Sequence, residues 1–443
     1  MERREFFRRS GGVAAVGILG NLMAGSSAAL ANVVSDISHL GPVEVAQDEA
    51  FWRKIRSLYV SPTDFIDLDH ANTSPTSTAV FDAFAKRSRR LSQAPAERFG
   101  ELWAYTGKDI RKNLAKLLGT QEERFAMTPN ATFGLNTVLH GFPLAAGDEI
   151  LVTNHEYPDM IETILQRTKR DGIVIKTVPV PAAGEDKLVL VTRIKQAISP
   201  RTKLLLISHV SAWSGEILPV AEVTEAARER GVAVLVDAAQ SVGMLDVNFD
   251  RIGCDFLATS LHKWLGGPLC SGVLVMRKEH VGKVWPLHPP SWDTSQYPMD
   301  LYEWAGSINM AANASIGEAI TFQQMLGPER KLSRMRYLGK YWQDKISGES
   351  RIEILTPLQT ERSFGVASFA VRDMQSTALV RYLRKEKGIL VQDKSGRHSP
   401  FANAMRVSPG PYTTPKELNK FVAALKSVVR SGLPAEYKNK AGD

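Results

Sequence analysis

Cysteine is scarce in this chain: Cys254 and Cys270 are the only two among 443 residues. Both lie in or beside apolar runs. No disulfide framework is expected, and both read as small buried hydrophobes. No cluster of His, Cys, Asp or Glu has the spacing of metal ligands, so no metal is expected. Long Lys/Arg runs are missing too. The formal charge of +8 is dispersed among acids, as in residues 222–230 and 381–387. That pattern reads as solvated surface and argues against a nucleic-acid partner. Neither a P-loop nor a G-x-G-x-x-G turn follows a strand, which leaves a nucleotide-binding α/β protein without support. Internal repeats and low-complexity tracts are absent as well.

What is present is the composition of an ordinary soluble enzyme, 44% apolar and 23% charged, in a chain long enough for two or three domains. Its first residues are distinctive. Arg3-Arg4-Glu5-Phe6-Phe7-Arg8-Arg9 precedes an uncharged Gly/Ala/Val/Leu-rich stretch from Ser10 to Leu30, and Ala29-Leu30-Ala31 has a small-x-small form. Residues 1–31 therefore read as an export signal. The apolar part is too short for a stable membrane anchor. The paired Arg3-Arg4 before Phe6-Phe7 resembles the twin-arginine type. It implies the twin-arginine export machinery as a partner and a periplasmic or exported destination for a protein that folds first.

Residues 32–60 read as a linker and N-terminal arm. From Phe65 onward, short apolar strands alternate with amphipathic helices. Strands are expected at 65–69, 149–152, 172–178, 204–207, 232–236, 255–258 and 271–276. Helices are expected at 76–91, 97–118, 160–169, within 187–198 and at 220–230. This alternation predicts an α/β fold, with a mostly parallel sheet covered by helices on both faces, over residues 61–310. After about residue 310 the pattern changes to long helices at 311–325 and 331–346, strands at 352–355, 365–371 and 388–391, and helices at 377–385 and 415–431. That is a smaller α+β domain, residues 311–435, followed by a disordered tail at 436–443.

In sheets of this kind ligands bind beyond the carboxyl ends of the strands. Asp237 ends the apolar run Val232–Val236, and a carboxylate buried there needs a partner. Twenty-six positions later Lys263 follows Thr259-Ser260-Leu261-His262 and precedes Gly266-Gly267-Pro268. A lysine for a Schiff base and an acid for a pyridinium nitrogen are what a pyridoxal phosphate (PLP) enzyme requires. In isolation the lysine reads as a surface residue and the aspartate equally as a structural cap; the pairing carries the inference. Thr128-Pro129-Asn130-Ala131-Thr132 opens an apolar helical stretch whose free N–H groups suit a phosphate, or simply an ordinary cap.

Asp-Ala-Ala-Gln at 237–240 followed by Ser-x-His-Lys at 260–263 resembles the class V aminotransferases, fold type I PLP enzymes that include cysteine desulfurases and isopenicillin N epimerase-like proteins. The resemblance covers roughly residues 65–430. It implies that Lys263 is the Schiff-base lysine and that Asp237 pairs with the pyridine nitrogen. Gln240 would bind the ring hydroxyl. Ser260, His262, Ala131 and Thr132 would hold the phosphate. Tyr157 would stack on the ring, with His155 as the alternative. Ser307, after Gly306, would reach the phosphate of a neighbouring subunit, which implies a homodimer with shared sites. Arg406 would bind the substrate carboxylate, with Arg397 and Asn72 as further substrate contacts.

The departures from the family pattern are informative. Residues 392–398 read Gln-Asp-Lys-Ser-Gly-Arg-His, without the mobile cysteine that desulfurases carry there, so persulfide chemistry is not expected. Gln392 stands in place of a second substrate arginine, and Arg397 is the candidate to compensate. The epimerase-like branch is favoured. Transamination, epimerisation and C–S lysis all begin with proton removal at Cα by Lys263, so they stay open. A non-catalytic binding protein on the same fold is the alternative.

Overall fold

The computed structural model describes residues 24–35, 37, 39–106, 110–359 and 361–438. The export-signal reading falls mostly on residues 1–23, outside that range. Strand β1 (Ile66–Asp67) is short and pairs in parallel with a segment far along the chain. The main sheet has seven strands: β2 (Phe125–Thr128), β3 (Glu149–Thr153), β4 (Val174–Val178), β5 (Thr202–Ser208), β6 (Ala233–Asp237), β7 (Phe256–Ser260) and β8 (Gly272–Met276). Their spatial order is β2-β8-β7-β6-β5-β3-β4. Only β8 runs against its neighbours.

The apolar strand runs are continuous because both sheet faces are covered. Leu205, Ile207, Val234, Val236 and Leu257 enter one core, whereas Leu204, Leu206, Leu235, Phe256 and Ala258 enter another. Adjacent residues point to opposite faces, so the central positions of these strands are apolar on both sides. The intervening helices carry clear stop signals. Pro158–Asp171 begins with proline at its first turn and ends at Gly172, whose φ of +70° continues no helix.

A second sheet of four short antiparallel strands has the order β12-β13-β10-β9, formed by β9 (Ile352–Ile354), β10 (Ala367–Val371), β12 (Gln392–Asp393) and β13 (Met405–Val407). The partner of β1 is β11 (Ile389–Leu390). Around this sheet Trp342, Phe369 and Phe421 meet edge to face, each such ring contributing about 1.5–3 kcal/mol on burial.

Several expectations are corrected. Residues 97–118 hold two helices, Pro95–Tyr105 and Arg111–Leu118. The strands β2, β12 and β13 went unpredicted. The main core reaches past residue 310, because Ile316, Ala319 and Ile320 still belong to it while Leu338 and Trp342 belong to the second. Residues 66–69 pair with β11 and with Ser408, just after β13, rather than with the main sheet.

Residues 32–60 are more than a linker. Ala24–Ser35, Pro42–Val45 and Glu49–Arg56 are helices, and Phe51, Trp52 and Ile55 are buried with Phe322, Leu326 and Tyr412. Fully buried Arg334 anchors them, donating to Ala46 O at 2.8 Å and to Glu49 Oε1 at 2.5 Å. The expected tail begins as a helix, Ala435–Lys438, whose Tyr437 hydroxyl donates to Glu386 at 2.6 Å. Cys254 is buried as expected, but Cys270 is exposed on a turn at φ +65°.

Candidate active site

The parallel strands deliver their carboxyl ends to one edge. Asp237 ends β6, Ser260 ends β7, Ser208 ends β5 and Thr153 ends β3. The loop after β2 joins them there, because Gly272 lies against Asn130. A Cβ on Gly272 would stand 2.6 Å from Asn130 Cα, so only glycine admits the loop. From that loop springs the helix Ala131–Gly141. Asn130 Oδ1 caps it by accepting from Phe133 N at 2.8 Å, and Ser260 Oγ accepts from Ala131 N at 2.9 Å. Thr132 N lies in the first turn, where no intrahelical acceptor exists. Ala131, Thr132 and Ser260 are thus brought together as expected for an anion site.

Lys263 sits on the turn after β7, which Leu261 N→Ser271 O at 2.8 Å and Gly267 N→Leu261 O at 2.9 Å hold shut. Burial brings its ammonium down to about 8; the Arg406 cation adds to this, while Asp237 and Asp69 oppose it. An amine with that pKa is readily deprotonated near neutral pH. Asp237 is buried and held by Ala239 N at 2.8 Å. Burial raises its carboxyl, against the pull of that N–H and of Lys263. His262 Nδ1 is buried without a hydrogen-bond partner among the described residues.

Other expected residues have more complicated placements. The Gln240 amide is already engaged. Its Nε2 donates to Ala71 O and its Oε1 accepts from Trp264 Nε1, both at 2.8 Å, which leaves one N–H for a ring hydroxyl. His155 is buried against Ser211 Oγ at 3.1 Å, and burial takes its imidazole to about 4. Tyr157 is more exposed, and the charges of Asp237 and Arg406 reach its hydroxyl. Arg406, on β13, is buried; its Nη2 donates to Asp69 Oδ1 at 3.0 Å and its Nη1 to Ala212 O at 2.9 Å.

Three expected residues are exposed. Arg397 is exposed and ion-paired to Glu162 at 2.9 Å. Asn72 is exposed on its turn. Ser307 is exposed too, beside Gly306 at φ +74°.

Three residues that sequence reasoning did not single out belong here. Asp69 holds Arg406. Lys394 lies within electrostatic reach of Arg406, Asp69 and Lys263. Glu156 sits behind Asp237, accepting from Thr153 Oγ1 at 2.5 Å and Ser208 Oγ at 2.7 Å. Burial pushes it up to about 7, and the charge of Asp237 adds to the shift. One sequence signal did mark it: a glutamate immediately after an apolar strand, flanked by His155 and Tyr157.

A family model of aminotransferase class-V matches residues 66–421. The chain belongs to that family. It is 30% identical over 406 residues to isopenicillin N epimerase of Amycolatopsis lactamdurans, covering 85% of this chain and 98% of that one. The corresponding Streptomyces clavuligerus epimerase is 27% identical over 399 residues, covering 86% and 98%. A probable cysteine desulfurase of Halalkalibacterium halodurans is 27% identical, covering 76% and 85%. Among solved structures, a C-DES mutant with glycine covalently linked to its PLP cofactor superposes with a TM-score of 0.73 at 23% identity, covering 84% of this chain and 98% of that chain. The fold is therefore that of the fold type I PLP-dependent transferases, an α/β architecture.

The class V site fits the cofactor on its own terms. A buried carboxyl with an unmet need for a cationic N–H, a lysine of lowered pKa and a capped helix start stand where ring nitrogen, aldehyde and phosphate would each find a partner.

Proposed function

We propose that this chain is a PLP-dependent enzyme acting at Cα of an amino acid or amino-acid derivative, of the isopenicillin N epimerase-like kind. The observation that carries the reading is the meeting of Lys263, Asp237 and the Arg406–Asp69 pair at one sheet edge. PLP, when bound, supplies an electron sink for the charge left at Cα when a proton departs. Asp237 would stabilise a protonated ring nitrogen. Lys263 would hold the cofactor and then accept and return the Cα proton through Nζ. Ser260, His262 and the N–H groups of Ala131 and Thr132 would take the phosphate, and Arg406 would orient the substrate carboxylate.

Epimerisation is favoured over transamination and C–S lysis by the similarity to the epimerases along nearly their whole length. The cysteine-free loop 392–398 argues against desulfuration. Ser307, exposed in the single chain, suits a contact across a homodimer, and Arg3-Arg4 suits export through the twin-arginine route. The deciding experiment incubates cofactor-loaded protein with L- and D-amino acids and thioether amino acids, assaying racemate, keto acid and pyruvate. Formation of the opposite enantiomer without keto acid supports epimerisation. No protein-bound absorption band after PLP is added and the excess removed would refute the enzyme reading.

A further inference from the structure

Lys394 follows β12 directly, and its amide donates to Ala404 O at 2.8 Å. The same pairing sets Gln392 opposite Arg406, so both cationic side chains start from adjoining strands. The Lys394 ammonium stands 5.2 Å from the centre of the Trp213 ring. That ring is itself fixed, since Trp213 is buried and its Nε1 donates to Glu156 O at 2.9 Å. The preceding residue, Ala212, accepts from Arg406 Nη1. One two-residue segment therefore holds a guanidinium by its carbonyl and an ammonium by its ring face.

The carboxylates on this side of the site are engaged by other groups. Asp69 is bonded to Arg406. Asp393, next to Lys394 in sequence, is turned toward the hydroxyls of Ser376 and Ser395. Lys394 has no ion-pair partner among the described residues, and Arg406 Nε is buried without an acceptor. Asp69 and Asp393 act on Lys394 only through space, and neither is ion-paired to it. Burial drives the Lys394 ammonium down to about 6, and Arg406 adds to the shift. A partly buried cation resting on an aromatic face with no carboxylate in contact gains from a ligand that supplies one.

We propose that Lys394 and Arg406 form a joint anion subsite, in which the Lys394 amine on the Trp213 face and the Arg406 guanidinium together hold the carboxylate of the substrate while Asp69 orients Arg406. This identification of the bound carboxylate as the substrate's rests on the function proposed above. Lys394 is a binding residue here, with no role in moving protons.

The test titrates propionate into cofactor-loaded protein by calorimetry and repeats the titration on cofactor-free protein. Lys394→Met should weaken propionate binding by about tenfold or more in both forms, and Lys394→Arg should restore most of it. In turnover assays Lys394→Met should raise KM while leaving kcat largely intact. Propionate affinity within about twofold of wild type in Lys394→Met, with the visible cofactor band retained, would overturn the subsite. Absence of that band in the wild type would instead refute the PLP reading, and the cofactor-free titration would still judge Lys394.

Discussion

Arg406 and Asp69 stand 337 positions apart in the chain and meet at 3.0 Å through Nη2 and Oδ1. Both are buried. Their contact is made possible by β1 pairing with β11 and by Asp69 lying alongside Ser408. Asp69→Ala would leave a buried guanidinium with only Ala212 O. Breaking a buried pair by removing one partner costs about 3–5 kcal/mol, so urea unfolding should register a loss of that order, with a raised substrate KM. A change of less than about 1 kcal/mol would place this pair with exposed ones.

Lys263→Ala should abolish covalent capture of PLP. After borohydride reduction and denaturation, wild-type protein should keep the pyridoxyl group on the peptide containing residue 263. The variant should release it all. A reduced adduct at another lysine in the wild type would move the Schiff base elsewhere.

Asp237→Ala should keep PLP bound through Lys263 and the phosphate contacts, yet lower kcat by on the order of a hundredfold or more, the scale of a lost preorganised electrostatic partner. Near-normal turnover with an unchanged visible spectrum would refute its pairing with the ring nitrogen.

Glu156 provides a pH prediction. Its folded pKa, raised to about 7 by burial, lies above the ordinary glutamate value. Its contribution is therefore fully present below the unfolded pKa and is lost as pH rises through 7. Gln at this position cannot ionise. The stability of Glu156→Gln relative to wild type, from urea unfolding of cofactor-free protein, should increase between about pH 4.5 and 7 and level off above. A difference that stays flat over that window would show that Glu156 ionises as it does in water.

Trp52→Ala should cost about 3–5 kcal/mol, as for a large buried aromatic. The arm it belongs to is packed into the protein: Trp52 is fully buried and its Nε1 donates to Val45 O at 2.7 Å. A loss below about 1 kcal/mol would mean the arm is merely laid on the surface.

The cofactor side of the site was readable because its signals are local. A carboxylate closing an apolar strand, a lysine on a glycine turn and an Asn cap each announce themselves within ten residues. The main sheet was readable for the same reason, since continuous apolar strands and period-matched helices carry their own pattern. The substrate side was not, because its signals are relational. Asp69 looks like an alternating strand residue until Arg406 is beside it, and Lys394 looks like a loop cation until Trp213 lies beneath it. Strands of two or three residues, such as β12 and β13, exist only through pairing. β2, with Ala126 and Met127 in four residues, has weak strand propensity and is held by β8. Arg397 was legible, but only the fold shows Glu162 across from it.

The order in which the pieces leave the ribosome follows from the pairing of the chain's early and late segments. Residues 131–263, which would hold the cofactor, are complete while the last third of the chain is still being made. Lys394 and Arg406 come last, and Asp69, made first, waits for them. The protein can therefore assemble a place for its cofactor well before it can recognise a substrate. A chain cut short after residue 390 would keep the residues of the first capacity and lack those of the second.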